Sequence, residues 1–151
     1  MNGLRRWLAG ALLAVLAAGA AAEDMLMVRS RAQFEESMLM LQQAIGDQGY
    51  TLSRVQRVDI GLTEFGYKTD MYRVVFFGRP EEIRGLSARH PDVIPYLPLK
   101  IAIFAEGDET LLAAANPLNL SAAYANPELD QVFARWERDI RAILEQVRKA
   151  E

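Results

Sequence analysis

The feature that most constrains this chain is one apolar stripe near its C-terminal end. Apolar side chains recur there at steps of three and four residues, which places them on one face of an α-helix; they are Leu129, Val132, Phe133, Trp136, Ile140, Ile143, Leu144 and Val147. Asn126, Pro127 and Glu128 supply an N-cap, a first-position proline and an acidic first turn. We therefore predict a helix of about 20 residues that buries its stripe against a sheet.

A second helix is predicted between residues 30 and 49. Its apolar face is formed by four residues at helical spacing, Phe34, Met38, Leu41 and Ile45. Ser30 and Gln33 have the spacing of a capping box at its start. Gly49 suits the left-handed backbone conformation that often ends a helix.

Five short segments have the composition or alternation of β-strands, at residues 25–29, 50–58, 72–77, 99–104 and 110–115. The alternation in the second is irregular, which predicts a bulge near Arg54. A hairpin turn is predicted at residues 106–109. Asn116 and Pro117 are expected to end the last strand.

The connections between these segments are less regular. Residues 59–70 contain two glycines among polar and aromatic residues, which predicts a turn or a mobile loop. Pro80 and the two glutamates after it can open a short helix. Three prolines, Pro91, Pro95 and Pro98, are expected to keep the chain out of helix until the next strand.

These elements predict a single α+β domain over residues 23–151. Its two layers are a mainly antiparallel sheet and two long helices that cover one face of it. The aromatic strand at residues 72–77 makes full exposure of the other face unfavourable. We therefore expect the chain to form a homodimer through that face or through an edge strand.

The first 22 residues have the organisation of a secretory signal peptide. Arg5 and Arg6 precede an uncharged run, and three alanines ending at Ala22 come before Glu23. We expect cleavage after Ala22 and a periplasmic or secreted mature protein with no membrane attachment. A retained helical anchor is the alternative, and the arginine pair leaves open whether export uses the general or the twin-arginine route.

Composition excludes several classes of function. The chain has no cysteine, so disulfides, thiol nucleophiles, thiolate metal sites and covalent c-type haem are excluded. There are 17 Lys and Arg against 20 Asp and Glu, without a basic cluster, which disfavours nucleic acid as a partner. The sequence also lacks the glycine-rich phosphate loop and the serine-hydrolase elbow.

His90 is the one side chain that titrates near neutral pH, and Asp92 follows it closely enough to orient the ring. The pair is therefore the candidate base and orienter of a cofactor-free enzyme, although a loop histidine is the more common outcome. His90 with a methionine could instead bind haem in an accessory protein of electron transfer or metal handling. Met25 and Met27 suggest copper ligation or, more simply, packing. No metal site or cofactor is predicted.

The order of motifs resembles the bacterial and archaeal family known as domain of unknown function 302. The resemblance rests on a helix ending at Gly49 and on the segments at residues 77–80 and 96–101, and it continues to the final helix. It implies a compact β-α-β(4)-α fold, often dimeric, with no established activity. Arg79 departs from the family, which tends to have asparagine there, so any role of that amide is in doubt in this chain.

Candidate ligand-binding residues follow from their proximity in this motif order. Arg79, Tyr96 and Lys100, with Tyr67 and Tyr72, would line a groove for a small anionic or aromatic ligand if the strand ends converge. The absence of a recognisable catalytic group makes an enzyme less favoured than a small binding or protein-interaction module. A small molecule or another exported protein is the expected partner.

Overall fold

A computed structural model describes residues 23–149. Its strands are β1 (Met25–Ser30), β2 (Thr51–Arg57), β3 (Tyr72–Gly78), β4 (Leu99–Glu106) and β5 (Glu109–Ala115). Its α-helices are α1 (Phe34–Asp47), α2 (Val58–Glu64), α3 (Pro80–Arg89), α4 (Ser121–Tyr124) and α5 (Pro127–Lys149). Two 3-10 helices span Pro91–Tyr96 and Pro117–Leu120. The predicted signal peptide lies outside the described residues.

All five strands form one antiparallel sheet in the order β1-β5-β4-β3-β2. Helices α1 and α5 pack against each other and against the sheet. Alternate strand residues point into this layer, so Val75, Phe77, Ile101 and Ile103 are fully buried. The predicted α+β fold, with two long helices on one face of an antiparallel sheet, is confirmed.

The apolar stripe of α5 supplies most of the helical contribution to the core. Phe133, Trp136 and Ile140 are almost completely buried. The predicted cap is present, because the Asn126 side-chain oxygen accepts hydrogen bonds from the backbone N–H groups of Glu128 and Leu129. Gly49 has the positive φ expected of a helix terminus. The bulge in β2 lies between Leu52 and Arg54, as predicted.

The predicted capping box is wrong. Ser30 belongs to β1, and α1 begins after Gln33 without a side-chain cap. The buried Ser30 hydroxyl oxygen instead accepts hydrogen bonds from the Ala32 N–H and from the Ser37 hydroxyl. Because the hydroxyl oxygen already accepts these two hydrogen bonds, it does not accept one from the backbone N–H of Gln33, as a capping box would require.

Two predicted irregular segments contain helix. Residues 58–64 form α2, which has no fully buried residue and therefore no apolar stripe for a sequence pattern to reveal. Residues 91–96 form a 3-10 helix that contains two of the three prolines: Pro91 occupies its first turn, where no N–H is needed, and Pro95 lies inside it. Among the described residues, no helix is both long enough and apolar enough to cross a membrane.

Candidate functional site

The sheet contains a gap between its two central strands. The β4–β5 ladder ends at the Ala102–Ala113 pair, although β4 begins at Leu99 and β5 continues to Ala115. Pro98 comes directly before the first residue of β4, and Pro117 follows Asn116 just after the end of β5. Because proline has no N–H to donate, neither proline can extend the ladder past this end, where the two strands are already unpaired.

The gap leaves one hydrogen-bonded pair of backbone residues unformed. The Ala105 N–H donates to the Met71 carbonyl on the β3 side. Because successive residues of a strand direct their backbone N–H and C=O groups to opposite neighbours, those of Lys100, five residues earlier, point toward β5. The Asn116 N–H donates to Asp24 on the β1 side, so those of Ala115 face β4. The ladder register contains no Lys100–Ala115 pair. Polar backbone atoms are therefore directed into the gap.

A cavity of about 270 Å³, which we call the end pocket, occupies this gap. The floor of the end pocket contains Trp136 and Ile140, both almost completely buried. Its walls come from β3, from the ends of β4 and β5, from both 3-10 helices and from residues next to β1, β4 and β5; they are Asp24, Phe76, Pro95, Tyr96, Leu97, Pro98, Leu99, Lys100, Ala115, Asn116, Pro117, Asn119 and Leu120. The lining is mainly apolar, as is typical of small-molecule sites.

Three of the four charged or amide side chains in this lining are already bonded. Asn116 donates to the Glu23 carbonyl at 2.8 Å and accepts from the Leu118 N–H at 3.0 Å. Asn119 donates to the Asp24 carboxylate at 3.3 Å. Within residues 23–149, Lys100 makes neither a hydrogen bond nor an ion pair. Its ammonium group is therefore the charge in the end pocket that a ligand can use.

The structure brings together two of the three candidate ligand-binding residues. Tyr96 and Lys100 both line the end pocket, and the Tyr96 ring also packs edge-on against Tyr124. Tyr67 and Tyr72 are elsewhere: Tyr67 is 68% exposed, and the Tyr72 ring packs against Phe104.

Arg79 belongs to a different group of residues, which we call the polar cluster: Tyr50, Arg79, Glu82, Arg135 and Asp139. The Arg79 guanidinium lies 4.3 Å from the centre of the Tyr50 ring and donates to the Gln48 carbonyl at 2.9 Å. It also lies 3.5 Å from the Asp139 carboxylate. The predicted grouping of Arg79 with Tyr96 and Lys100 does not occur.

The polar cluster joins α3 and α5 to the end of α1. The Tyr50 hydroxyl donates to Asp139 at 2.6 Å, and Arg135 bonds to Glu82. Burial and the neighbouring Asp139 carboxylate raise the pKa of Tyr50 well above its usual value. The Trp136 Nε1–H donates to the other Glu82 oxygen at 3.2 Å. Trp136 therefore contacts both regions: its indole N–H bonds to the polar cluster, and its side chain forms part of the pocket floor.

The structure does not pair His90 with Asp92 as predicted. The His90 ring lies 3.1 Å from Glu128, which also accepts hydrogen bonds from Arg89. Hydrogen bonds from His90 and Arg89 lower the pKa of Glu128 below its usual value. Neither His90 nor Asp92 lines the end pocket. This arrangement joins α3 to the start of α5, outside the end pocket.

The methionines at the start of β1 and the acidic groups were considered as metal ligands from the sequence. Met25 and Met27 are about half exposed on the outer face of β1. Within residues 23–149, no three of the histidine, aspartate and glutamate side chains group closely enough to hold a metal ion.

Comparison with known proteins identifies the family. A family model described as "Domain of unknown function DUF302" matches residues 26–147. The chain belongs to the DUF302 family. A crystal structure of an uncharacterized conserved DUF302 protein from Bacillus stearothermophilus is similar to this DUF302 protein, with a TM-score of 0.76 and 20% sequence identity. The match covers 84% of this chain and 100% of the other. No curated protein matches the chain.

The likeness to the Bacillus protein extends to the fold, and the family name assigns no activity. Sequence reasoning correctly identified the family but missed most residues of the end pocket. Asp24, Asn116 and Trp136 are far apart in the chain, and only the pairing of β1 with β5 and the packing of α5 on the sheet bring them together.

Proposed function

We propose that this DUF302 protein is an exported, homodimeric module that binds a small molecule in the end pocket. The observation that carries the proposal is the unfilled gap between β4 and β5, floored by Trp136 and lined by apolar side chains. An apolar cavity in an otherwise continuous sheet costs dispersion contacts. A bound ligand would restore these dispersion contacts, so we interpret the gap as a binding site.

Binding is tested with octanamide, a neutral molecule with an eight-carbon body. Isothermal titration calorimetry is expected to show saturable binding of one molecule per chain. Ala115→Phe fills the mouth of the end pocket and is expected to abolish the signal, whereas Ala123→Phe, at an exposed helix position outside the pocket, is expected to leave it unchanged. Equal binding by both variants would place the ligand elsewhere.

Homodimer formation is supported by the apolar outer face of the sheet. The side chains on this face alternate with those of the core; they include Met25, Met27, Val74, Phe76, Ala102, Phe104, Leu111 and Ala113. Ala102 is central, so Ala102→Glu is expected to convert a dimer to a monomer in sedimentation velocity. Ala123→Glu is the control with the same charge at a site off the sheet. A wild-type monomer at micromolar concentration would contradict the proposed dimer.

Export is supported by the signal-peptide pattern of the first 22 residues. The protein recovered from its native host is expected to have the mass of a chain that begins at Glu23. An intact N-terminal methionine would contradict cleavage. The periplasmic fraction should contain the shortened protein, and recovery of that protein from the cytoplasmic fraction would contradict export.

A further inference from the structure

The end pocket has a chemical asymmetry that indicates what it binds. Its body is apolar, with Phe76, Leu99 and Ile140 among the lining residues. At one edge, Lys100 carries a positive charge without a partner in residues 23–149. The unformed Lys100–Ala115 backbone pair lies at this same position of the sheet. A positive charge and unpaired backbone groups therefore occur together beside an apolar cavity.

This combination favours an anion over a neutral or cationic ligand. The gap presents backbone C=O groups as well as N–H groups, so the Lys100 ammonium group decides the sign of the favoured charge: a carboxylate accepts hydrogen bonds from it and from a backbone N–H. The alternating ladder directs the Ala115 N–H toward β4, into the gap that Lys100 borders. The neighbouring Asn116 and Asn119 side chains are already engaged with Glu23 and Asp24.

The charge of the ligand is limited by Asp24. This carboxylate is the one acidic group in the lining, and its partner is the neutral Asn119 amide. The one ammonium group in the lining can pair with one negative charge, whereas the Asp24 carboxylate repels any anion and repels a dianion more strongly than a monoanion. A monoanion is therefore favoured over a phosphate or a dicarboxylate.

The size of the ligand follows from the cavity. A cavity of about 270 Å³ lies at the small end of the range for small-molecule sites, which is about 300–1,000 Å³. An acid of about eight carbons, with about ten non-hydrogen atoms, is a ligand of correspondingly small size. Larger aromatic acids and long-chain lipids would have to extend into solvent.

From these observations we infer that the end pocket binds a monocarboxylate of about eight carbons, whose carboxylate is held by Lys100 and the Ala115 N–H. The inference rests on the proposed function, since it names the ligand class of the same site. The apolar body would lie against Trp136, with the acid group at the gap between the strands.

The test compares octanoate with octanamide, which have the same body and differ in charge. Octanoate is expected to bind about tenfold more tightly, as is typical of a hydrogen bond to a charged group. Lys100→Gln should remove this preference, whereas Lys100→Arg should retain part of it. Lys68→Gln makes the same charge change at a lysine outside the pocket and is expected to preserve the preference.

Two further measurements test whether the preference for octanoate comes from an ion pair with Lys100. Added salt is expected to weaken octanoate binding and leave octanamide binding unchanged, because salt screens exposed charges. Asp24→Asn is expected to strengthen octanoate binding, because it removes the opposing carboxylate.

The outcomes distinguish the two proposals. Equal binding of octanoate and octanamide, both lost in Ala115→Phe, would overturn the monocarboxylate inference and leave the binding module standing. An unchanged octanoate preference in Lys100→Gln would also overturn it. Failure of both molecules to bind would overturn the binding function together with the inference.

Discussion

The polar cluster and the end pocket lie on either side of Trp136 and differ in how their polar groups are satisfied. In the polar cluster, two arginines face two carboxylates, and the Tyr50 hydroxyl and the Trp136 N–H each have an acceptor. In the end pocket, Lys100 has no partner in the described chain, and mainly apolar side chains line an open cavity. A satisfied polar network stabilises the fold, whereas unsatisfied groups beside a cavity are available to a ligand.

The largest effect on stability is expected from substitution of Trp136, the side chain that contacts both regions. Trp136→Ala is expected to lower the free energy of unfolding by about 3–5 kcal/mol, because it removes a fully buried ring from the core. Trp136→Phe keeps most of the ring volume and loses the hydrogen bond to Glu82, so its cost should be smaller. Denaturant unfolding measures both, and equal costs would show that the polar cluster rather than packing determines the effect.

Within the polar cluster, Glu82 is the acceptor for two donors. Glu82→Ala leaves the Arg135 guanidinium and the Trp136 N–H without this acceptor, and we expect a loss of about 1–2 kcal/mol in the free energy of unfolding because the site is partly exposed. Glu81→Ala is the matched control, since Glu81 is highly exposed and pairs with Arg84 on the helix surface. A similar cost for both variants would argue against a stabilising role for the polar cluster.

The raised pKa of Tyr50 gives a pH test of the same cluster. Its hydroxyl keeps its proton in the folded protein at pH values where the unfolded chain, with an ordinary tyrosine pKa of 10.0, loses it. The contribution of this pKa difference to the free energy of unfolding is fully present below pH 10.0. It is lost as the pH rises above 10.0, by at most about 1.4 kcal/mol per pH unit. Tyr50→Phe should lose stability less steeply above pH 10.0, and the exposed Tyr67→Phe is expected to behave like the wild type in alkaline urea titrations.

The smallest effect on stability is expected in the end pocket. Lys100→Gln removes an exposed charge without a partner in residues 23–149, so the free energy of unfolding should change by less than about 0.5 kcal/mol. A loss comparable to that of Glu82→Ala would mean that Lys100 stabilises the fold and would remove the contrast between the two regions.

Local patterns predicted those elements whose residues are adjacent in sequence. The stripe of α5 and the Asn126 cap specify a helix on their own, and the irregular alternation near Arg54 was sufficient to predict the bulge. Ser30 shows the limit of this reasoning. Its spacing to Gln33 fits a capping box, but a hydrogen bond from the Ser37 hydroxyl and a place in β1 take precedence.

The two regions near Trp136 could not be predicted because they depend on long-range contacts. Tyr50 and Asp139 are 89 residues apart, and no local pattern relates them. The end pocket depends on where the β4–β5 ladder stops, and that position results from the combined geometry of five strands. Tyr96 and Lys100 were found because both belong to the short segment at residues 96–101, which leads into β4 and includes its first residues.

Asn116 has a practical consequence for any fusion protein. Its buried side-chain amide holds the Glu23 carbonyl, and the next residue, Asp24, lines the end pocket. Anything joined immediately before Glu23, such as an affinity tag, a fluorescent protein or a surface tether, would therefore emerge at the mouth of the pocket. Immobilisation through that end would place the support against the site, so a sensor built from this fold should be attached through α5.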